Sequence, residues 1–497
     1  MTSLPINFLL FARLVDDPVE GIIMYRRSGP PELRRVVYLL AFLLGACGGG
    51  GGTATALTCT PLQVSHPIAG PLTITTQTCP SATQGSAYAG CTLAAAGGTP
   101  PYIFSVSGSS NFPSLPEGMS LNACTGAISA PIVGGQGYYQ PQLIVTDSAG
   151  AQATRQISFS IVGSNAYLSG IFPSTSIFHH IVTAPLPVDS SPAAQIPSVY
   201  ASSHLRVLFG DTSGAPYPNG IPVIDVPATQ PNVPVVTTLY QSYFTSGPIP
   251  SYAPVEGTVN SQGDRHVLVY RLAGANSPPA LYEMWQGIYK SATSSWSDSS
   301  NALWPDTTTN VLTPDGGGTT DAAGLPVAPL LLNADEVIGD GTPAAPNGQV
   351  RHPIRFTLNH MLNYWVWPAR QTAGVGVCYD SSGKVIPVGQ RLSQSTTPPV
   401  SCSSGAGAPA GEIYRLKSSV ANPCPQATNP QGSIIITAMR NYGIILADNG
   451  LTGGIIGTPD TRWNDTDLSC LTKLTLADFE PVNVSSLMVD VNSGVTH

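Results

Sequence analysis

Short apolar alternations separated by turn residues recur along the chain and constrain its fold more than any other feature. In one of them, Leu143 and Val145 precede the sequence Asp-Ser-Ala-Gly at 147–150, and Ile157 and Phe159 follow it. A period of two places apolar side chains on one face of a strand, and the four-residue segment favours a hairpin turn. Its 51 glycines and 47 prolines would also suit disorder, but 42% of residues are hydrophobic. The sequence therefore predicts a loop-rich, mainly β protein.

Length and charge limit the possible functions. The 497 residues are enough for two or three domains, each with its own core. The net charge is −8, so the basic surface expected of a nucleic-acid-binding protein is missing. The glycine run at 48–52 follows an apolar N-terminal segment rather than a strand, which does not fit a nucleotide-binding loop. We expect no nucleic-acid partner and no cofactor.

An apolar run at 36–46 predicts export. Arginines at 26, 27, 34 and 35 precede it, and its length suits a signal peptide rather than a membrane-spanning helix. The run ends in "LGAC", which resembles the lipobox of bacterial lipoproteins. This resemblance implies cleavage before Cys47 and lipidation of its thiol. The alternative is an ordinary signal peptide with a cysteine there by chance.

The same resemblance indicates a location. Gly48 after the lipidated cysteine implies sorting to the outer membrane, so we expect a lipid-anchored protein facing the periplasm or the exterior. Residues 1–23 are unlike a signal peptide, and the predicted signal peptide therefore spans 24–47, with Met24 as the start. A tether is predicted at 48–79.

The cysteines also favour export. Nine occur, at 47, 59, 79, 91, 124, 378, 402, 424 and 470. Without Cys47, four precede residue 125 and four follow residue 377. In an oxidising compartment this division predicts two disulfides in each half, with three possible pairings in each.

Residues 80–163 form a recognisable unit. The segments "GGTPPYIFSVSG", "LPEGMSLNACTGAIS" and "GYYQPQLIVTDSAGAQATRQISFSIV" follow one another at 97–162. Together they resemble the Ig-like repeats of bacterial surface proteins, which implies a β-sandwich with a spacer or adhesive role. Cys91 and Cys124 depart from the repeat pattern, and we expect a disulfide between them. The carboxylates Glu117 and Asp147 are interpreted as turn residues.

Residues 164–497 are predicted to form a larger β-rich functional domain. Strands are predicted at 267–272, 281–289, 354–358 and 364–367, a helix at 432–450 that stops at Asn449-Gly450, and a disulfide-pinned insertion at 372–411. Segments such as "APVEGTVNSQGDRHVLVY" and "TDAAGLPVAPLLLNADEV" make this region similar to an uncharacterised group of secreted soil-bacterial proteins. That resemblance brings no settled activity.

Aromatic side chains suggest carbohydrate binding. All six tryptophans lie between residues 285 and 463, and several are close together in "LYEMWQGIYKSATSSWSDSSNALW". Trp285 and Tyr289 share one face of the predicted strand, and Trp296 follows; flat faces of this kind stack on sugar rings. The alternative is that these aromatics fill the core of a sandwich.

Ionisable residues in loops suggest a reactive site. Glycoside hydrolysis needs one protonated and one ionised carboxyl group across a cleft. Lyase chemistry instead needs a base and a cation to neutralise a uronate. The candidates share a position in loops or at element ends: the carboxylates Glu256, Asp264, Asp321, Glu336 and Asp448, the bases His266 and His352, and the cations Arg265 and Arg351.

The segments "DRHVLVY" and "VRHPIRF" both begin with Arg-His before a strand. If these strands pair, His266 and His352 converge with Glu256 or Asp264. Such a group also suits a two-histidine, one-carboxylate metal site, but no HExxH or HxH spacing supports one, and we predict no metal.

The sequence therefore predicts a mainly β surface lipoprotein acting on extracellular polysaccharide, as a glycan hydrolase or a lyase. Glu256, Asp264, His266, Asp321 and His352 are the predicted catalytic centre, and Trp285, Tyr289, Trp296, Arg265 and Arg351 the predicted substrate contacts. The alternative is a non-catalytic glycan-binding or adhesive lipoprotein.

Overall fold

The computed structural model describes residues 68–497, apart from 184, 192–193, 211–216, 241, 314–319, 340–347, 375–376, 381, 387–400 and 403–406. The predicted signal peptide and Cys47 lie outside the described residues, as do most of the tether and part of the 372–411 insertion. Cys59–His497 form one compact unit. Within the described ranges, no helix has the length and apolar character needed to cross a membrane. The chain is mainly β, as predicted.

The N-terminal region of this unit contains short strands. They are β1 (Ile68–Ile74), β2 (Ala82–Thr83), β3 (Cys91–Thr92), β4 (Ala95–Gly98), β5 (Ile103–Val106), β6 (Ser120–Leu121), β7 (Ala127–Ser129), β8 (Gly137–Tyr139), β9 (Gln142–Thr146), β10 (Gln152–Gln156) and β11 (Phe159–Val162). β1 lies within the predicted tether and pairs with β4, so ordered structure begins before residue 80.

Two three-stranded sheets, β10-β9-β5 and β2-β11-β8, share one apolar core. Leu143 and Val145 of β9 face Phe159 of β11 in this core, and all three are fully buried. β9 and β10 form the predicted hairpin, whose turn is held by the Asp147 carboxylate, which accepts hydrogen bonds from the Ala149 and Ala151 N–H groups. The alternating pattern therefore predicted this hairpin correctly.

The second region is also built mainly of strands. They are β12 (Arg206–Leu208), β13 (Val223–Val226), β14 (Val233–Thr237), β15 (Ser246–Gly247), β16 (Val267–Arg271), β17 (Ala280–Trp285), β18 (Ile288–Lys290), β19 (Ser295–Asp298), β20 (Ser300–Trp304), β21 (Ile354–Leu358), β22 (Met361–Trp365), β23 (Cys378–Tyr379), β24 (Val385–Ile386), β25 (Ser401–Cys402), β26 (Ala408–Ala410), β27 (Ile413–Leu416), β28 (Ile444–Asn449), β29 (Gly454–Ile456) and β30 (Phe479–Pro481).

The helices of the second region are α1 (Ser198–Ala201), α2 (Ala334–Ile338), α3 (Pro430–Asn441) and α4 (Asp465–Leu468). Short 3-10 helices lie at Ala166–Gly170, Ile177–His179, Ser291–Thr293, Ala328–Leu330, Ser469–Lys473, Leu476–Asp478 and Ser485–Leu487.

Three sheets position the candidate site. The largest has the order β12-β29-β21-β28-β27-β30, and its centre is fully buried. The two four-stranded sheets have the orders β13-β16-β17-β20 and β15-β14-β19-β18. β16 and β21 belong to different sheets, so the two Arg-His strands do not meet the condition of pairing on which the convergence of their histidines depended.

The helix predicted at 432–450 is wrong in its second half. α3 begins at Pro430, where the Asp467 carboxylate accepts hydrogen bonds from the Gln431 and Gly432 N–H groups. It ends before Gly443, whose φ of +79° no helix permits. The apolar residues that follow form β28 because they pair with β21 and β27. A continuous apolar pattern does not show where such a change occurs.

The strand predicted at 281–289 is interrupted. Gln286 has a φ of +57°, and the backbone turns there before Gly287. β17 consequently joins the sheet of β16, and β18 joins that of β19. Trp285 and Tyr289 therefore do not share one strand face. The strand predicted at 364–367 runs instead over Met361–Trp365.

Disulfides join Cys79 to Cys91 and Cys424 to Cys470, with Cα–Cα distances of 5.6 and 5.3 Å. The expected Cys91–Cys124 bond is wrong, because Cys91 is bonded to the cysteine twelve residues before it. Cys124 and Cys378 are also disulfide-bonded. The expectation of disulfides in both halves is confirmed.

Candidate active site

A buried histidine organises the site. His266 immediately precedes β16; its Nδ1 lies 2.7 Å from Glu256 Oε2, and its Nε2 lies 2.8 Å from the Thr320 carbonyl oxygen. Both partners are acceptors, so both ring nitrogens donate and the ring is an imidazolium. Burial by itself would lower the pKa of His266, but the charge and hydrogen bond of Glu256 raise it to about 9.

A buried arginine holds two further carboxylates. Arg355 of β21 pairs with Asp321 and, through Nη2, with Asp448 Oδ2 at 2.6 Å. Asp448 lies on β28, the parallel neighbour of β21, in register with Thr357. Asp321 precedes a turn that its Oδ1 stabilises by accepting a hydrogen bond from the Ala323 N–H. The ion pairs of Arg355 therefore hold the loop of Asp321 close to strands β21 and β28.

Asp448 is a partly exposed carboxyl group of this site whose pKa is raised. Its side chain is 22% exposed. Burial raises its pKa, the Arg355 guanidinium opposes that rise, and the nearby negative charge of Asp264 adds to it. Asp264 is half-buried, and the side chain of Glu256 is 27% exposed. We call Glu256, Asp264, His266, Asp321, Arg355 and Asp448 the carboxylate cluster.

Glu283, on β17, supports the carboxylate cluster through hydrogen bonds. It is fully buried, and its carboxylate accepts hydrogen bonds from the Thr320 hydroxyl and from the N–H groups of Val327 and Ala328 at 2.9 Å each. Burial raises its pKa, and these donors oppose the rise. Glu283 thereby fixes the loop that carries Thr320 and Asp321.

An aromatic pair flanks the cluster. Trp285 Nε1 lies 3.4 Å from Asp264 Oδ1, and the Tyr240 ring lies 6.1 Å from the Trp285 ring. Tyr240 is 61% exposed, whereas Trp285 is half-buried. The pair offers a flat, partly exposed apolar surface beside a carboxylate.

The structure brings five of the predicted site residues together and separates the others. Glu256, Asp264, His266 and Asp321 belong to the cluster, and Trp285 adjoins it. His352 instead forms a separate buried pair with Glu336, at 3.1 Å. Because Glu336 also completes the N-terminal cap of α2 by accepting from the Asn333 N–H, this pair anchors a helix. The predicted convergence of His352 with His266 is therefore wrong.

The remaining predicted substrate contacts have other surroundings. Trp296 is 1% exposed, and its indole N–H donates to the Ile249 carbonyl at 3.2 Å, so it is a core residue rather than a sugar platform. The Tyr289 ring packs 5.3 Å from it. Arg265 donates to the carbonyls of Val259, Ser261 and Gly287, and exposed Arg351 donates to the Gln349 side chain.

Sequence reasoning missed three residues of the site: Arg355, Glu283 and Tyr240. Arg355 stands in "VRHPIRF", the segment singled out for its histidine, and Glu283 lies two residues before Trp285 in the same strand. Tyr240 carries no pattern that would have identified it. Among the described residues, no three His, Cys, Asp or Glu side chains are grouped so that they could hold a metal ion.

Comparison of the chain with known protein families and with curated proteins finds no match.

Proposed function

We propose that the protein hydrolyses glycosidic bonds of an extracellular polysaccharide at the carboxylate cluster. The observation that carries this proposal is the proximity of two partly exposed carboxyl groups, Asp264 and Asp448, of which burial raises the pKa of Asp448. The negative charge of Asp264 helps to raise the pKa of Asp448. Glycoside hydrolysis requires such a pair, one member protonated and one ionised.

The proposed roles follow from the contacts. Asp448 donates a proton to the leaving oxygen as the glycosidic bond breaks, and water bonds to the anomeric carbon from the opposite side while the Asp264 carboxylate accepts its proton. The Trp285 indole contacts Asp264 and, with exposed Tyr240, supports a sugar ring. Arg355 and His266 are positioning residues, because their charges allow several carboxylates to remain close together.

Hydrolysis fits the site better than elimination does. A lyase needs a neutral base that can take a proton from the sugar ring. Both nitrogens of His266 already donate hydrogen bonds, and its pKa of about 9 keeps it charged at neutral pH. It is therefore unsuited to act as that base.

The proposed setting is the cell surface. The lipobox-like sequence ending at Cys47 and the apolar run before it support export and anchoring by lipid. Disulfides in both halves of the chain are consistent with an oxidising compartment. A lipid-anchored hydrolase would act on polysaccharide near its own membrane.

Non-catalytic glycan binding is the second candidate. It is favoured by the extent of hydrogen bonding at the cluster, since Glu256, Glu283 and Asp321 all hold neighbouring backbone or side-chain groups. In this alternative, the carboxylates stabilise loops and the aromatic pair alone contacts glycan.

A product assay distinguishes the candidates. The full chain is incubated with a panel of neutral and uronate-containing polysaccharides, and new reducing ends and unsaturated products are measured. We expect new reducing ends without unsaturation. Asp448→Asn and Asp264→Asn should abolish them, while Asp490→Asn, at an exposed position outside the cluster, should not. Binding without cleavage in the wild type would instead support the second candidate.

A further inference from the structure

A cleft of about 580 Å³ lies between the β-sandwich and the second region. Residues 106–108 and 114–119 line one side of it, and residues between 251 and 296 line the other. None of the carboxylate-cluster residues lines it. Its volume falls within the range of small-molecule binding sites, which is roughly 300–1,000 Å³.

The cleft contains a buried carboxyl group with an unused oxygen. Glu117 is 7% exposed; its Oε2 accepts a hydrogen bond from the Tyr139 hydroxyl at 3.2 Å, and its Oε1 accepts none of normal geometry. Burial raises the pKa of Glu117 to about 7, although its own N–H, the Tyr139 hydroxyl and the Val255 N–H favour the ionised form. A buried oxygen without a hydrogen bond of normal geometry is costly, and a ligand that supplies a well-placed donor would remove that cost.

The charges of the cleft favour a neutral ligand. The positive charge of Arg265 acts on Glu117. Its guanidinium already donates to the carbonyls of Gly287, Val259 and Ser261, so it contributes charge rather than free donors. An anionic ligand would be repelled by ionised Glu117, and a cationic ligand would be repelled by Arg265. A hydroxyl group, in contrast, can donate to Glu117 when it is ionised and accept from it when it is protonated.

The opposite wall is apolar and partly exposed. Tyr289 is half-buried against Trp296, and Ile288 and Val259 are 47% and 48% exposed. An aromatic face with neighbouring apolar side chains matches the C–H face of a pyranose ring. Two exposed serines, Ser251 and Ser291, add hydroxyl groups at the rim of the cleft.

We infer that this cleft is a second carbohydrate site, which binds one or two neutral sugar units apart from the carboxylate cluster. Glu117 hydrogen-bonds a sugar hydroxyl, and Tyr289 supports the ring. This inference goes beyond the proposed hydrolysis, because the cleft would bind sugar whether or not the cluster cleaves it. Bound there, a polysaccharide would be held across the junction of the two regions.

The test is calorimetric titration of the full chain with cellobiose, xylobiose and diacetylchitobiose, and with digalacturonate as the charged comparison. At least one neutral disaccharide should bind, and digalacturonate should bind at least tenfold more weakly. Tyr289→Ala and Glu117→Gln should each weaken binding at least tenfold. Ile288→Asp, at an exposed position on the same wall, should have the same effect and provides a test if either variant fails to fold.

Asp490→Asn is the control, since this exposed aspartate lies outside both the carboxylate cluster and the cleft. We expect it to leave disaccharide affinity and polysaccharide hydrolysis unchanged. No binding by any neutral disaccharide, tighter binding of digalacturonate, or unchanged affinity in both Tyr289→Ala and Ile288→Asp would each overturn the inference. Absence of hydrolysis in every protein would contradict the proposed function and leave this inference standing.

Discussion

Replacing Glu256 with Gln removes the carboxylate that keeps His266 charged. In the wild type, that carboxylate and its hydrogen bond raise the pKa of this buried imidazole from its ordinary value of 6.5 to about 9. The folded state therefore holds the proton more tightly than the unfolded state does. The resulting contribution to stability is fully present below pH 6.5 and is lost as the pH rises through about 9.

The size of this contribution follows from the two pKa values. The difference between 6.5 and about 9 corresponds to about 3 kcal/mol, at about 1.36 kcal/mol for each pKa unit. In Glu256→Gln, burial, which is the largest single influence on His266 in the wild type as well, is no longer offset by the Glu256 charge and lowers the pKa of the imidazole. The imidazole is then neutral in the folded state above pH 6.5, and its contribution no longer changes with alkaline pH.

The assay is urea unfolding of both proteins at about pH 6 and about pH 10, with disulfides intact. We expect the free-energy difference between wild type and variant to fall by about 3 kcal/mol between these pH values. The buried His352–Glu336 pair also makes the free energy of unfolding depend on alkaline pH. Because this pair is present in both proteins, its effect cancels in the difference between them. NMR titration of ring-labelled histidines should place the pKa of His266 near 9 in the wild type. Equal losses of stability in both proteins, or a pKa near 6.5, would refute the reasoning.

Two further predictions concern stability. Arg355→Met leaves Asp321 as a buried carboxylate without its cation and should lower the free energy of unfolding by about 3–5 kcal/mol, whereas Arg351→Met, at an exposed position, should change it by less than about 0.5 kcal/mol. Similar effects of the two substitutions in thermal denaturation would contradict the structural role of the ion pair. Replacing both Cys424 and Cys470 with Ser opens a link across 46 residues and should cost about 4 kcal/mol. An unchanged melting temperature would show that this disulfide does not constrain the unfolded chain.

The sequence predicted the site residues that are close together along the chain. It did not predict the contacts between segments that are far apart in the sequence. Glu256, Asp264 and His266 lie within eleven residues, so their proximity could be inferred from the chain itself. The approach of Asp448 and Arg355 depends instead on the parallel pairing of β28 with β21. A pairing between segments about ninety residues apart leaves no periodic pattern in either one.

The sequence also could not show which of the aromatic residues are buried. Trp285 follows the mainly apolar segment "ALYEM" and adjoins a carboxylate, whereas Trp296 stands in the polar segment "SATSSWSDSS" and fills a core. Both tryptophans lie on strands that are paired on both edges, so the difference depends on the face of the strand: Trp296 packs in one core with Val235 and Ile249, and Trp285 is not part of that core. The two Arg-His segments show the same limit of prediction from local sequence, because these identical dipeptides precede strands of different sheets.

Proton donation by Asp448 is the step on which the proposed hydrolysis depends. Loss of a general acid typically slows a reaction by about 10²–10⁴-fold when the leaving group needs protonation. A dinitrophenolate leaving group does not need it, so an aryl glycoside bearing this group bypasses the acid. The most direct measurement is the initial rate of Asp448→Asn on the polysaccharide that the wild type cleaves and on the dinitrophenyl glycoside of the same sugar. The account predicts a loss of at least about 100-fold on the polysaccharide and a rate near that of wild type on the aryl glycoside. Equal rates of wild type and variant on the polysaccharide, or equal losses on both substrates, would contradict it.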